Sequence, residues 1–323
     1  MNKKEAIYQT ELGSAYCANS LLFMQDMESD SVDLVVTSPP YALHFKKEYG
    51  NADQTEYINW FLPFSREIFR ILKPTGSFVL NIGGTWTPGK PTRSLYHFRL
   101  LLKLCDELGF SFCQEFFWYN PAKLPAPAEW VNVRRIRVKD SVEYIYWLGK
   151  KPNPKADNSK ILQEYSKDML RLIQRGVNKT KRPSGHNIKE TFAFDNGGSI
   201  PGNLIECGNN ESNSNYLSLL KKIGRKIHPA RFPAEIPRFF IKFLTSVDDL
   251  VLDPFAGSNT TGYVAELLNR RWIAIELSKD YIENSKYRFE KDDQELITSD
   301  IMPRTPHQLR LLNLRTEQQS SRR

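Results

Sequence analysis

The stretch Val32-Asp33-Leu34-Val35-Val36-Thr37-Ser38-Pro39-Pro40-Tyr41 decides how this chain folds. Its first six residues are mostly apolar and β-branched, which predicts a buried strand of a parallel sheet. The strand must stop at the two prolines, because proline has no N–H and a fixed φ and cannot continue a central ladder. The Ser38 carbonyl is then free to accept a hydrogen bond from something other than backbone. A hydroxyl, main-chain carbonyls and an aromatic ring in one corner suit a planar base, whose exocyclic amino group needs acceptors and whose ring needs a face to stack on. A plainer reading makes this only a strand ended by Pro-Pro, with Tyr41 as core.

Around this corner, strands alternate with helices, the pattern of a parallel α/β sheet covered on both faces. Strands are expected at 15–17, 32–37, 77–82, 110–119, 142–148, 250–252 and 272–275, the aromatic-rich 110–119 and 142–148 forming an antiparallel pair. Helices are expected over about 20–27, 56–72, 95–108, 233–245, 260–269 and 279–290. Composition changes near Gly149: residues 150–227 are rich in Lys, Asn, Ser and Gly and show little periodicity, as an inserted variable region would. The last residues, ending Ser320-Ser321-Arg322-Arg323, read as a frayed tail.

A second motif lies more than two hundred residues further on. Val251-Leu252-Asp253-Pro254-Phe255-Ala256-Gly257-Ser258-Asn259-Thr260-Thr261-Gly262 reads as strand, glycine turn and helix start. Gly257 permits close backbone approach to a ligand, and a helix start offers unpaired N–H groups. Glu276 ends the next strand 23 residues after Asp253, about where nucleotide-binding α/β folds keep an acid for ribose hydroxyls. Neither a G-x-G-x-x-G dinucleotide turn nor a G-K-[ST] triphosphate loop is spelled here.

Together these motifs resemble the amino-methylating DNA methyltransferases, which use S-adenosylmethionine (AdoMet) to methylate cytosine N4 or adenine N6. The resemblance spans about residues 12–290. In that family the catalytic word is Asp, Asn or Ser followed by Pro-Pro and an aromatic residue. The Ser form resembles the N4-cytosine members of restriction–modification systems. It implies an AdoMet-methyltransferase (Rossmann-like) α/β fold: a mostly parallel seven-stranded sheet with an antiparallel hairpin, circularly permuted, with an inserted target-recognition region. The implied order is a catalytic half (1–149), target recognition (150–227), an AdoMet-binding half (228–295) and a tail (296–323). The implied catalytic residues are Ser38, Pro39, Pro40 and Tyr41. For the cofactor they are Asn19, Asp253, Pro254, Phe255, Ala256, Gly257, Ser258, Thr260 and Glu276, with His228, Arg231 and Phe232 closing over the methionine part. Two positions depart from the family spelling. Asn259 stands where glycine is common, but Asn also tolerates a left-handed backbone. Ala18-Asn19 replaces the usual Gly-Asp before the helix that meets adenine.

Charge agrees with a polyanionic partner. The chain carries 45 Lys and Arg against 37 Asp and Glu, a net +8. Residues 150–231 alone hold sixteen cations against seven acids, a surplus that suits phosphate contacts on double-stranded DNA. Lys181, Arg182, His186 and Asn187 are candidates for reading bases. No run is long and apolar enough for a membrane span, and no secretion signal is spelled. Cys17, Cys105, Cys113 and Cys207 lack paired spacing for zinc, are expected reduced, and point to the cytoplasm. None sits in the Pro-Cys context of a C5-cytosine enzyme. No obligate protein partner is indicated. The competing expectations are an N6-adenine enzyme, an RNA or small-molecule methyltransferase, and a DNA-binding protein without activity.

Overall fold

The computed structural model describes residues 5–42, 53, 55–176, 193–208, 215–230 and 233–290. In chain order its main elements are β1 (Tyr8–Gln9), β2 (Gly13–Cys17), α1 (Ser20–Gln25), β3 (Val32–Thr37), α2 (Tyr57–Ile71), β4 (Leu72–Ile82), α3 (Tyr96–Asp106), β5 (Ser111–Tyr119) and β6 (Val142–Gly149). They continue as α4 (Lys167–Arg175), β7 (Leu204–Glu206), α5 (Asn215–Lys222), α6 (Glu235–Leu244), β8 (Leu250–Asp253), α7 (Thr260–Leu267), β9 (Arg271–Glu276) and α8 (Lys279–Ser285).

One sheet runs in the order β1-β2-β9-β8-β3-β4-β6-β5-β7. Its seven inner strands match the expected count, and β6 lies antiparallel between β4 and β5. Two short strands absent from the sequence reading extend the edges: β1 pairs antiparallel with β2, and β7 pairs parallel with β5. β4 also begins earlier than expected. Leu72 pairs with Val32 ahead of a register shift, so the Pro74–Gly76 stretch is accommodated as an irregularity in the ladder.

Strand β3 is buried at every residue, and its alternation divides the two cores. Val35 faces one layer with Phe61, Ile68 and Leu100 of α2 and α3, while Leu34 and Val36 face the other with Phe240, Ile241 and Val264 of α6 and α7. Side chains on successive strand residues point to opposite faces, so a six-residue apolar run can serve both layers. At the amino end of β3, buried Asp33 accepts from Lys73 Nζ and from the Leu250 N–H at 2.9 Å, tying β8 to β3.

Two compact units emerge. The first comprises residues 1–157 and 202–293 and includes the whole sheet. The second includes the described residues 158–176 and 193–201, where Ser166 caps α4 and Gln163 bridges Ser199. No described helix is long and apolar enough to cross a membrane.

Candidate active site

The parallel strands β2, β9, β8, β3 and β4 all end at one edge of the sheet, and antiparallel β6 begins there. Across that edge lie, in spatial order, Asn19, Glu276, the Asp253–Thr260 turn, Ser38–Tyr41, Asn81 and Glu143. The two motifs thus sit on neighbouring strands, with Leu34 opposite Val251 and Val35 opposite Leu252. A direct bond joins them: Thr37 Oγ1, one residue before Ser38, donates to Asp253 Oδ1 at 2.7 Å.

Asp253 is 1% exposed, and its oxygens also accept from the Phe255 N–H and Thr261 Oγ1. Burial outweighs these bonds and pushes its pKa up to about 6. Its position makes it a brace of the turn. Pro254 and Ala256 are buried, and Phe255 packs into an aromatic cluster with Trp60, Phe61 and Phe64 at 5.1–6.1 Å. Asn259 adopts the left-handed backbone (φ 54°) foreseen from its residue type and caps α7 by accepting from the Gly262 N–H at 3.0 Å. Ser258 is held by Arg288, whose guanidinium bonds its carbonyl and hydroxyl, and Thr260 opens α7 in a buried position.

Gly257 has φ +54°, and a Cβ there would stand 3.2 Å from the His228 imidazole. His228 covers the turn, edge-on to Tyr281. The Gly257 N–H donates to Glu276 Oε2 at 2.8 Å, and the Ser278 N–H to Glu276 Oε1 at 2.8 Å. Burial raises the pKa of Glu276, and the backbone bonds oppose that rise. With the Gly257, Leu277 and Ser278 N–H groups as donors, the carboxylate keeps acceptor capacity for one more donor such as a hydroxyl. Beside it, Tyr16, Cys17, Ala18, Asn19 and Leu22 line a hollow of about 310 Å³. Asn19 spends its side-chain oxygen on capping α1, accepting from Leu21 N and Leu22 N, and its amide nitrogen is the group left for a ligand. Arg231 and Phe232, like Lys181, Arg182, His186, Asn187 and the 296–323 tail, lie outside the described residues.

The diproline corner contains more than the sequence suggested. Ser38 Oγ lies 3.2 Å from Tyr41 Oη, which donates to Glu143 Oε2 at 2.7 Å. Asn81 Nδ2 donates to Tyr41 Oη at 2.9 Å and to Ser38 Oγ at 3.3 Å. Lys123 Nζ closes the row on Glu143 Oε1 at 3.0 Å. The Tyr41 ring rests on Gly83, where a Cβ would stand 2.4 Å from it. Burial, with Glu143 next to it, holds the Tyr41 pKa well above the usual phenol value. The phenol therefore keeps its proton and spends it on the acceptor-only carboxylate. That leaves the Tyr41 oxygen to receive the Ser38 proton, so Ser38 turns a lone pair outward. Among the described residues, the buried Asn81 Oδ1 has no hydrogen-bond partner. Asn81 and Glu143 were readable in principle: each is a polar residue at the site end of an otherwise apolar or aromatic strand.

A protein-family model described as DNA methylase matches residues 32–287. The chain is 50% identical over 289 residues to the type II methyltransferase M.PvuII of Proteus hauseri, covering 88% of this chain and 86% of that one. It is similar to the solved structure of the PvuII DNA methyltransferase (cytosine-N4-specific), with a TM-score of 0.73 and 44% identity over 94% of this chain and 95% of that one. TTHA0409 of Thermus thermophilus, solved with S-adenosyl-L-methionine, shares the fold at 20% identity and a TM-score of 0.53, over 86% of this chain and 93% of that one.

Proposed function

This chain belongs to the DNA methylase family, and on that premise we propose that it methylates the exocyclic N4 of a cytosine within a specific site of double-stranded DNA, as the modification enzyme of a type II restriction–modification system. It is an AdoMet-dependent DNA methyltransferase. The observation that carries the reading is the Thr37–Asp253 bond, which sets the glycine turn and the diproline corner side by side. A DNA substrate puts its work in the bacterial cytoplasm. Within the expected chain order, 1–149 and 228–295 form the catalytic and AdoMet halves, residues 150–227 supply target recognition, and 296–323 is a tail.

The site suits the cofactor. Gly257 forms a cradle that a Cβ would fill, Glu276 offers an acceptor for a ribose hydroxyl, and the hollow at Asn19 has room for a flat ring. The Gly257–Thr260 turn and His228, with Arg231 and Phe232, would hold the rest. Glu276 and Ser38 end strands separated only by β8, about 10 Å apart by strand spacing, within reach of a nucleoside with a short sulfonium arm. AdoMet supplies an electrophilic methyl group on a positively charged sulfur.

The chain's own residues do the remaining work. The amino nitrogen of cytosine is a weak nucleophile because its lone pair is delocalised into the ring. A base turned out of the duplex would lie against Tyr41 and donate its amino hydrogens to the Ser38 Oγ lone pair and the Ser38 and Pro39 carbonyls. Such bonds favour a tetrahedral nitrogen and aim its lone pair at the methyl; alignment of this kind is worth about 7–11 kcal/mol in favourable cases. Once methylated, the nitrogen carries an extra, acidic proton. Ser38 can accept it while passing its own proton to Tyr41, which passes its proton to Glu143.

The test is to methylate plasmid DNA with the purified enzyme, digest it to nucleosides and identify the product by mass spectrometry, mapping the modified site by sequencing. N4-methylcytosine is expected. Ser38→Ala and Glu143→Ala should slow turnover at least about tenfold without weakening AdoMet binding, as loss of a charge-assisted or buried hydrogen bond implies. N6-methyladenine as the product, or full activity in Ser38→Ala, would refute the reading.

A further inference from the structure

The loop between β5 and β6 is far longer than an antiparallel pair requires. Tyr119 and Val142 are still paired, so residues 120–141 form the whole connection, whereas hairpin loops usually take about two to five residues. The loop is built rather than slack. Trp130 is buried beneath the Arg134 guanidinium, and its carbonyl accepts from the Ile136 N–H at 2.9 Å. Lys139 Nζ bonds the Lys123 carbonyl at 3.2 Å, and Asp140 ties down both Arg93 and Arg137. At its foot Lys123 holds Glu143, the same carboxylate that accepts the Tyr41 hydroxyl's hydrogen bond.

Against this ordered frame the loop leaves large apolar side chains in water: Leu124 is 79% exposed, Val133 68%, Ile136 60% and Val138 85%. They alternate with five cations, Lys123, Arg134, Arg135, Arg137 and Lys139, against only Glu129 and Asp140. Arg135 is held at a left-handed φ of 56° and is exposed. Apolar groups set among surplus cations complement a polyanion with an apolar interior. A duplex from which one base has been withdrawn is such a partner, since it exposes the faces of the flanking pairs between two phosphate rows.

We propose that loop 120–141 is the strand-opening wedge of this enzyme: Leu124 and Val138, flanking the Lys123–Lys139 neck, fill the space left by the target base, while Arg134, Arg135 and Lys139 hold the adjoining phosphates. The proposal rests on the DNA methyltransferase reading, because the loop's foot shares Glu143 with the catalytic corner. It places part of the DNA surface outside residues 150–227.

The test compares wild type with the double variant Leu124→Ser, Val138→Ser in single-turnover methyl transfer at saturating DNA. Two duplexes carry the mapped site: in one the target cytosine faces guanine, in the other an abasic position. A wedge helps only when a pair must be opened, so the variant should be slowed at least about tenfold on the paired duplex and less than about twofold on the abasic one. Equal rates on the paired duplex, or equal losses on both, would overturn the wedge and leave the methyltransferase reading intact. A loss of self-association by the variant with unchanged rates would assign the patch to a second copy of the chain and likewise overturn it. Failure of wild type on both duplexes would instead refute the methyltransferase reading.

Discussion

Asp253 shows how a single side chain joins distant parts of the sequence. Its carboxylate meets Thr37, Thr261 and the Phe255 N–H, all inside a buried corner. The desolvation cost exceeds what these donors return, which is why its pKa rises from 3.8 to about 6. A raised carboxyl pKa means that the fold favours the protonated form. The associated stability is fully present below about pH 4 and is lost as pH climbs through about 6, a change of roughly 3 kcal/mol at most. Asp253→Asn cannot titrate. Its denaturation free energy in the absence of cofactor should therefore gain on wild type between pH 4 and 7, and parallel stability curves over that range would show that Asp253 is not so perturbed. At this scale the sequence was informative where spelling carries chemistry. It marked Ser38, Gly257, Glu276 and the left-handed Asn259. It did not mark Asn81 or Glu143, whose polarity at the ends of β4 and β6 was a readable signal, nor Lys123, whose role arises only when the 120–141 loop returns to β6.

Among the elements, the glycine turn between β8 and α7 makes the sharpest demand on residue type. Gly257 combines a positive φ with a close approach to His228. Alanine there would add about 1 kcal/mol of backbone strain and press on the imidazole. Gly257→Ala should raise the AdoMet dissociation constant about tenfold or more in calorimetry, and an unchanged constant would remove this turn from the cofactor site. The long amphipathic helices α2, α3 and α6, and the apolar strands β3, β8 and β9, were legible because each buries a whole face or both faces. β1 and β7 were not, since two or three residues cannot display a period. α4 went unmarked although Met169, Leu172 and Ile173 follow helical spacing, because nine residues are a short window and none of them is fully buried. β4 starts at Leu72 because sheet pairing overrides the turn signal of Pro74 and Gly76.

Over the whole molecule, chain order and spatial order differ, and the site depends on that difference. Residues near 38 and near 253 are neighbours because β3 and β8 pair, although β8 is the eighth strand along the chain. Each motif was recognisable alone at a strand carboxyl end, where open α/β sheets bind ligands, but their adjacency was implied by the resemblance to the permuted methyltransferases. Basic composition pointed to residues 150–227 as the DNA-contacting part. The 120–141 loop escaped notice because its exposed apolar residues look like an ordinary core segment until the fold shows them facing water. The most direct measurement is a crystal structure of the enzyme with AdoMet bound. The transferable methyl should lie about 6 Å or less from Ser38 Oγ, leaving room for one amino nitrogen in contact with both. A methyl group more than about 10 Å away, or a cofactor seated off the Gly257 turn, would contradict the shared site.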